Sequence, residues 1–395
     1  MFPAEEYDDR RARLAEELGF LGVDLAVLTY ETDLFYFSGT CQAGYLFLHR
    51  SGRAWLAARR GALRARFETF LPVEEFRDPA GLLAAVRRHA PDAPRRIGFG
   101  FDLVRHEQAL HFRALFPEAE PVDLGVVLRR SRLRKSRREH EYIRLAARQA
   151  DGALKTAASL LRPDQTELEL SIRIEAYLRR KGHPGLIRLR EAGAVATMGF
   201  AAAGSSGLLP PERAVVWTGP GLAPAAPYGP GDRPFAVGEP VFLQYFGSCA
   251  GYLAMACRTF SLGPPAAEAS WAYEAMRQVL GRLERELGPG ERTGRLFEIA
   301  LRAARLFGYE EYFLGLGGGP IWPLGHGLGL EADEPPLFAP GERETLAPGM
   351  VVAVAPRVIL PGLGTIGLGN TYLITADGWE RLTETPDEWR VVPIE

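Results

Sequence analysis

The sequence predicts an α/β chain of two domains, an N-terminal domain over 1–128 and a larger domain over 129–395. The chain has 395 residues, 47% of them hydrophobic, which is enough for two substantial cores. Helix and strand patterns alternate through the first domain, which is typical of an α/β fold. In the second domain a pair of helices followed by strands occurs twice, which indicates an internal duplication.

The first domain opens with apolar residues at helical spacing, which predict a helix over 7–20. An apolar run at 23–29 then predicts a buried strand. Further short apolar runs, punctuated by glycines, continue the alternation. The remaining predicted elements are strands at 34–37, 45–48, 54–58 and 97–99 and a helix near 80–89.

A strongly basic segment at 128–138 separates the two domains. A nucleic-acid patch and a solvated linker are both compatible with its arginines. Glu139 and Glu141 follow at once, and no aromatic residue lies between the arginines to stack on bases. We therefore favour a solvated linker that leads into a helix.

The second domain contains two predicted helix pairs. The first pair covers 137–161 and a helix that runs to Gly182, which Thr166 and Glu169 begin with a capping-box pattern. The second pair covers 266–287 and a helix that starts at Thr293. The strands are predicted at 214–217, 241–243, 350–354 and 371–374. We expect a curved antiparallel sheet with both helix pairs on one face and any active site on the other, concave face.

Composition excludes several classes of function. The formal net charge of −2 gives the chain no overall electrostatic attraction to nucleic acid or to an anionic membrane surface. The three cysteines are odd in number and lack CxxC spacing, against a disulfide scaffold or a structural zinc site. No apolar run approaches the roughly 20 residues of a membrane span, and the first residues lack a signal-peptide pattern. The prediction is a cytoplasmic protein.

Several motifs, in order, resemble one family. They are a histidine motif at 325–336, a Gly-Tyr then Arg-Thr-Phe segment at 251–260, a Leu-Ala-Pro-Gly-Met-Val run at 346–351, a Gly-Asn-Thr-Tyr-Leu segment at 369–378, and a start of domain at 10–39. Together they resemble the pita-bread superfamily of Xaa-Pro dipeptidases, aminopeptidase P and creatinase. The resemblance implies a creatinase-like N-terminal domain, a pita-bread second domain and a homodimer.

The family's peptidases use two divalent metals that activate a bridging water, held by two Asp, two Glu and one His. The resemblance maps these five ligands, in chain order, onto Gln244, Met255, His326, Ala355 and Gly369. Only the histidine is retained. An imidazole, an amide oxygen and a thioether cannot offset the dehydration of two hard cations. We therefore predict no metal cofactor.

His326 is the candidate catalytic residue, because a neutral imidazole in a pocket can act as a base. Its alternative is a remnant that only makes hydrogen bonds in a glycine-rich turn. Arg357 is a candidate anchor for a carboxylate or phosphate, or else a surface residue near a strand end. Tyr252 and Glu334 are further candidate substrate contacts. Cys257 near His326 suggests a nucleophile, although a buried packing cysteine is the interpretation that we favour.

Three functions stay open. The favoured one is a non-metallo pseudo-peptidase that binds a small molecule or peptide. The second is a metal-independent, creatinase-type C–N hydrolase that uses His326. The creatinase mechanism also needs two glutamates, which here are Ala355 and Gly369, and a further histidine, which is absent from 225–230. The third is an Xaa-Pro dipeptidase with weak metal-dependent activity.

Overall fold

A computed structural model of the chain describes residues 2–90, 92–190, 196–209, 218–227, 229–316 and 323–394. The chain forms two compact units, Met1–Arg132 and Leu133–Glu395. The boundary between them therefore falls inside the basic segment.

The first unit is a six-stranded α/β domain. Its sheet has the strand order β4-β3-β2-β1-β5-β6, in which β2 runs antiparallel to both of its neighbours and the other pairs are parallel. Trp55, stacked on Phe47 with ring centroids 5.0 Å apart, lies at the centre of its core. The elements are α1 (Ala4–Leu21), β1 (Leu25–Leu28), α2 (Glu31–Ser38), β2 (Gly44–His49), β3 (Ala54–Ala58), α3 (Ala62–Glu68), β4 (Val73–Glu75), α4 (Pro79–His89), β5 (Arg96–Phe99), α5 (His106–Leu115), β6 (Glu120–Asp123) and α6 (Gly125–Ser131).

The strand predicted at 34–37 is wrong, because these residues belong to helix α2. A short apolar run does not by itself distinguish a strand from a buried helix. Two local signals favour the helix. Glu31 and Asp33 lie in its first turn, where carboxylates interact well with the helix dipole, and Gly39 ends it with a left-handed φ of 87°.

The basic segment is not the solvated linker that the sequence predicts over its first residues. Residues 125–131 form α6, with Leu128 buried in the unit. Arg132 pairs with Asp33 at 2.5 Å, and both side chains are 3% exposed. The Tyr36 hydroxyl donates to the Ser131 carbonyl at 2.9 Å. The arginine is buried here because Asp33 compensates its charge.

The second unit contains the two predicted helix pairs. Helices α7 and α8 both begin with a complete capping box, Ser136 with Glu139 and Thr166 with Glu169. The elements are α7 (Arg137–Leu160), α8 (Glu167–Arg180), β7 (Gly199–Ala203), β8 (Val241–Cys249), β9 (Tyr252–Leu262), α9 (Ala267–Glu286), α10 (Thr293–Leu306), β10 (Gly325–Gly327), β11 (Glu334–Phe338), β12 (Val351–Val354), β13 (Arg357–Leu360), β14 (Gly364–Gly367), β15 (Asn370–Ile374), β16 (Trp379–Arg381) and β17 (Arg390–Val392).

The strands of this unit divide into three groups rather than one sheet. A four-stranded group, β17-β9-β8-β7, shares a core with α7 and α8. A five-stranded group, β11-β10-β12-β15-β16, and the hairpin β13-β14 share a core with α9 and α10. The mixed α/β class and the two helix-pair halves are confirmed. The strand predicted at 214–217 lies outside the described residues.

No helix within the described ranges is long and apolar enough to cross a membrane.

Candidate functional site

The two halves of the second unit are joined where β9 meets β15. Cys257 and Gly369 exchange two backbone hydrogen bonds of 3.1 and 3.0 Å. The Thr371 hydroxyl donates to the Met255 carbonyl at 2.8 Å and accepts from the Met255 amide at 2.9 Å. This junction brings Met255 and Gly369, which are distant in the sequence, onto neighbouring strands.

Side chains alternate between the faces of a strand, so the core contacts show which face each residue occupies. Leu243 and Tyr245 of β8 pack in the core with α7 and α8, so Gln244 points to the opposite face. Val352 and Val354 of β12 pack against α9 and α10, which leaves the intervening residue on the face away from those helices. We call this surface, away from both helix pairs, the distal face.

The pairing of neighbouring strands places four of the five mapped positions on or beside the distal face. Gln244 pairs with Cys257, and Met255 lies two residues before it on β9, so all three share the distal face. His326 pairs with Ala353 of β12, which is also distal. Gly369 lies beside Cys257. The structure thus brings the predicted positions to one surface of the second unit.

His326 is 3% exposed and lies in strand β10, not in the glycine-rich turn that the sequence indicates. Its Nδ1 is 3.0 Å from the Gly327 carbonyl. A carbonyl only accepts, so Nδ1 carries the proton and Nε2 keeps a lone pair. Burial is the main cause that lowers the pKa of the imidazole to about 4; the Gly327 bond opposes this, and the nearby Arg357 charge contributes to it. The ring is neutral at neutral pH.

Ala355 and Gly369 pack closely with Cys257. A methyl group placed on Gly369 would lie 2.5 Å from the Ala355 Cβ and 2.8 Å from the Cys257 Sγ. Both distances are shorter than van der Waals contact, so no side chain fits at 369 without a backbone shift. Burial raises the pKa of the Cys257 thiol to about 12, although the charges of Arg258 and Arg357 oppose this. A thiol with this pKa is an inert packing group rather than a nucleophile.

Arg357 begins strand β13 and is partly exposed. Burial lowers the pKa of its guanidinium, and Cys257 acts in the opposite direction. The closest polar contact of the guanidinium is the Ala355 carbonyl, at 3.5 Å from Nη1. Among the described residues Arg357 makes no ion pair. Its electrostatic effect on both His326 and Cys257 places it at the same site.

The other predicted contacts have structural partners. The Tyr252 hydroxyl donates to Glu139 of α7 at 2.8 Å, and the ring stacks on Tyr142, with centroids 6.1 Å apart. Glu334 forms an ion pair with Lys135 at 3.0 Å, and both side chains are 2% exposed. Both polar groups thus have partners within the second unit, and the substrate contacts of Tyr252 and Glu334 stay predictions.

Sequence reasoning missed Thr371, whose hydroxyl holds Met255 in place. The signal was available, because Thr371 lies two residues after Gly369 and therefore on the same face of β15. The sequence also assigns no role to Arg258. Arg258 is 1% exposed, and its guanidinium donates hydrogen bonds of 2.8 Å each to the Gly369 carbonyl, the Asn370 side chain and Asp387. These bonds fix the start of β15 next to the site.

The donors at the site are an imidazole, an amide and a thioether. Over the ranges that the structure describes, no group of three or more His, Cys, Asp or Glu side chains is arranged to hold a metal ion. Arg357 is charged and acts electrostatically on both His326 and Cys257 of the distal face.

Comparison with known proteins identifies relatives of both units. The sequence profile of metallopeptidase family M24 matches residues 141–376, and that of the creatinase/prolidase N-terminal domain matches residues 10–134. An uncharacterized peptidase, YqhT, of Bacillus subtilis is 24% identical over 95% of this chain and 98% of its own length. An Xaa-Pro dipeptidase of Pyrococcus furiosus is 24% identical over 96% of this chain and 99% of its own.

Solved structures share the fold. The prolidase from Pyrococcus horikoshii superposes with a TM-score of 0.81 at 22% identity, over 96% of this chain and 99% of that one. The dipeptidase PepE from Mycobacterium ulcerans gives a TM-score of 0.81 at 23% identity over the whole of both chains. These similarities establish the pita-bread fold with a creatinase-like N-terminal domain.

Proposed function

The chain belongs to metallopeptidase family M24, and on this premise we propose that it is a metal-independent member that binds a small molecule or a peptide. The observation that carries the proposal is the set of groups at the five positions where the family resemblance places metal ligands. Gln244, Met255, Ala355 and Gly369 supply no carboxylate there. His326 is the one strong ligand that remains.

These residues do not fit two divalent cations. Hard cations need several oxygen ligands, and most of these must be anionic to offset the loss of hydration. Gly369 packs against Ala355 and Cys257 in the space that a ligand side chain would need. The guanidinium of Arg357 adds a positive charge, which repels a cation.

The metal-independent hydrolase is the weaker alternative. His326 has a lone pair on Nε2, but its pKa of about 4 makes it a poor proton acceptor at neutral pH. Efficient general bases have a pKa near the working pH. The buried Cys257 thiol does not supply a nucleophile in its place.

Peptidase activity is the second candidate, because relatives along nearly the full chain are named Xaa-Pro dipeptidases. Assays with Xaa-Pro dipeptides and added Mn²⁺ or Co²⁺ separate the two proposals. The metal-independent binder shows no turnover with either ion. Turnover that depends on added metal and is lost in chelator would contradict it and would establish the peptidase.

The homodimer implied by the family resemblance remains a prediction. Light scattering coupled to size-exclusion chromatography tests it directly. A mass of about twice the chain's 43.4 kDa is expected, and a monomer at all concentrations would contradict it.

A further inference from the structure

Among the residues that the structure describes, no carboxylate forms an ion pair with Arg357. Its guanidinium has five donors, yet among the described residues its side chain makes one hydrogen bond, to a carbonyl at 3.5 Å, the outer limit for such a bond. It makes no ion pair with any residue in the described ranges. Two other arginines of the second unit, Arg258 and Arg381, both form ion pairs with Asp387.

A partly desolvated cation with no counter-charge is costly to the fold. Such a destabilising charge is expected at a position where it binds a ligand. The side chain lies at the distal face, close enough to His326 and Cys257 to influence both electrostatically. It starts the hairpin opposite Gly367, which carries no side chain that could cover it.

The charge of the site is therefore reversed relative to the family's pattern. Four carboxylates would make the site anionic before metal binds. Here none of the five mapped positions carries a carboxylate, and the Arg357 guanidinium lies close enough to act on His326 and Cys257. A site of this charge attracts an anion rather than a cation or an amino group.

We propose that the guanidinium of Arg357 binds the carboxylate of a small ligand at the distal face, where the family resemblance places metal ions. The inference rests on the proposed metal-independent function and names the chemical class of its ligand. A guanidinium donates two parallel hydrogen bonds to a carboxylate. One positive charge balances a monoanion, whereas a phosphate dianion would remain half compensated.

The surroundings define the rest of the ligand. Nε2 of His326 accepts a hydrogen bond, so a ligand N–H or O–H group fits beside the carboxylate. Phe200 and Phe242, with ring centroids 6.0 Å apart, lie on the same face of β7 and β8 as Gln244. Their rings favour a ligand whose body is apolar.

The test measures ligand binding by nuclear magnetic resonance in the presence of chelator. The probes are acetate, benzoate and N-acetylproline, each with its neutral amide, and inorganic phosphate. The variants are Arg357→Gln and Arg357→Lys, with Arg343→Gln, an exposed arginine, as the matched control. We expect at least one carboxylate to bind and its amide not to bind. Arg357→Gln should weaken that binding about 10- to 100-fold, the usual range for a charge-assisted bond.

Arg357→Lys should bind more weakly than the wild type, because a lysine lacks the bidentate geometry. Arg343→Gln should leave binding unchanged. Thermal melts check that each variant is folded. Arg357→Gln should melt at the same or a higher temperature, because among the described residues the arginine has no ion pair to lose.

Three outcomes would overturn the inference. They are failure of every carboxylate to bind, equal binding by Arg357→Gln and the wild type, and tighter Arg357-dependent binding of phosphate than of any carboxylate. Each of these leaves the metal-independent proposal intact. Carboxylate binding that appears only after Mn²⁺ is added would instead contradict the proposed function itself.

Discussion

At the scale of single residues, the contact of Gly369 with Ala355 and Cys257 is the most informative feature of the site. A side chain at 369 would lie within 2.9 Å of the Ala355 Cα, so the obstacle is backbone and cannot rotate away. The small size of Ala355 is therefore required by the close approach of Gly369, and the reverse also holds. The two small residues allow two strand ends to approach more closely than two glutamates would permit.

Gly369→Ala should lower the free energy of unfolding by about 1–3 kcal/mol, the usual cost of an overpacked core. The matched control is Gly281→Ala in α9, where an added methyl group meets nothing within 4 Å. That control should be neutral or stabilising, since alanine favours a helix over glycine. Chemical denaturation measures both. An unchanged stability for Gly369→Ala would contradict the close packing.

Met255→Asp tests whether the site can accept a carboxylate. Met255 is 1% exposed, and Thr371 binds its backbone on both sides. An unpaired carboxylate there should cost on the order of 3 kcal/mol in chelator. Met255→Leu, which conserves volume, should cost less than about 1.5 kcal/mol. Stability of Met255→Asp that returns with added Mn²⁺ would indicate a working metal site.

At the scale of elements, the sequence predicts the long helices well and the short elements poorly. The capping boxes at Ser136 and Thr166 begin α7 and α8 because a local side-chain pattern satisfies the free amides of the first turn. Helix α2 was misread, because its apolar run carries no strong period. The tertiary partners of Tyr252 and Glu334 could not be predicted, since they lie 113 and 199 residues away in the sequence.

Register explains why the site itself was partly predictable. The motifs fix the chain positions of Gln244, Met255 and Gly369, although the predicted strands stop at 243 and start again at 371. Alternation along the observed strands decides which face they occupy. The pairing of β9 with β15 was not predictable from spacing, because it depends on how the two halves pack. The absence of an anion beside Arg357 within the described residues also appears only in three dimensions.

Helix α8 contains a carboxyl group whose titration should affect stability. Burial raises the pKa of Glu175 above its ordinary value of 4.5, and no described residue forms a hydrogen bond or ion pair with it. The folded chain thus holds this proton to higher pH than the unfolded chain does. The free energy of unfolding therefore loses this contribution as the pH rises from about 4.5 through the folded pKa.

Glu175→Gln removes this charge at nearly constant size. The variant should be more stable than the wild type at pH 7. At pH 3 the two should be equally stable, because Glu175 of the wild type is then protonated in both the folded and the unfolded chain. Glu298→Gln on the exposed face of α10 is the control and should change neither value. Urea denaturation at the two pH values measures the effect. A variant less stable at pH 7 would show that Glu175 has a stabilising partner.

At the scale of the whole molecule, the fold indicates a metallopeptidase, whereas the side chains at the site favour a metal-independent binder. Profiles for both units and relatives over nearly the full chain establish the family. We propose that the guanidinium, the imidazole and the close-packed small residues on the distal face of the second unit stand where the family resemblance places metal ligands. A shared fold does not fix a shared reaction, because function depends on the groups at the site.

The most direct test of the proposal is the metal content of the purified chain. The protein is incubated with Mn²⁺ and Zn²⁺, dialysed and analysed by elemental mass spectrometry. We expect no stoichiometric metal, because His326 alone cannot hold a hard cation beside Arg357. About two ions per chain, the number that a dinuclear mechanism needs, would contradict the proposed metal-independent function and favour a working metallopeptidase.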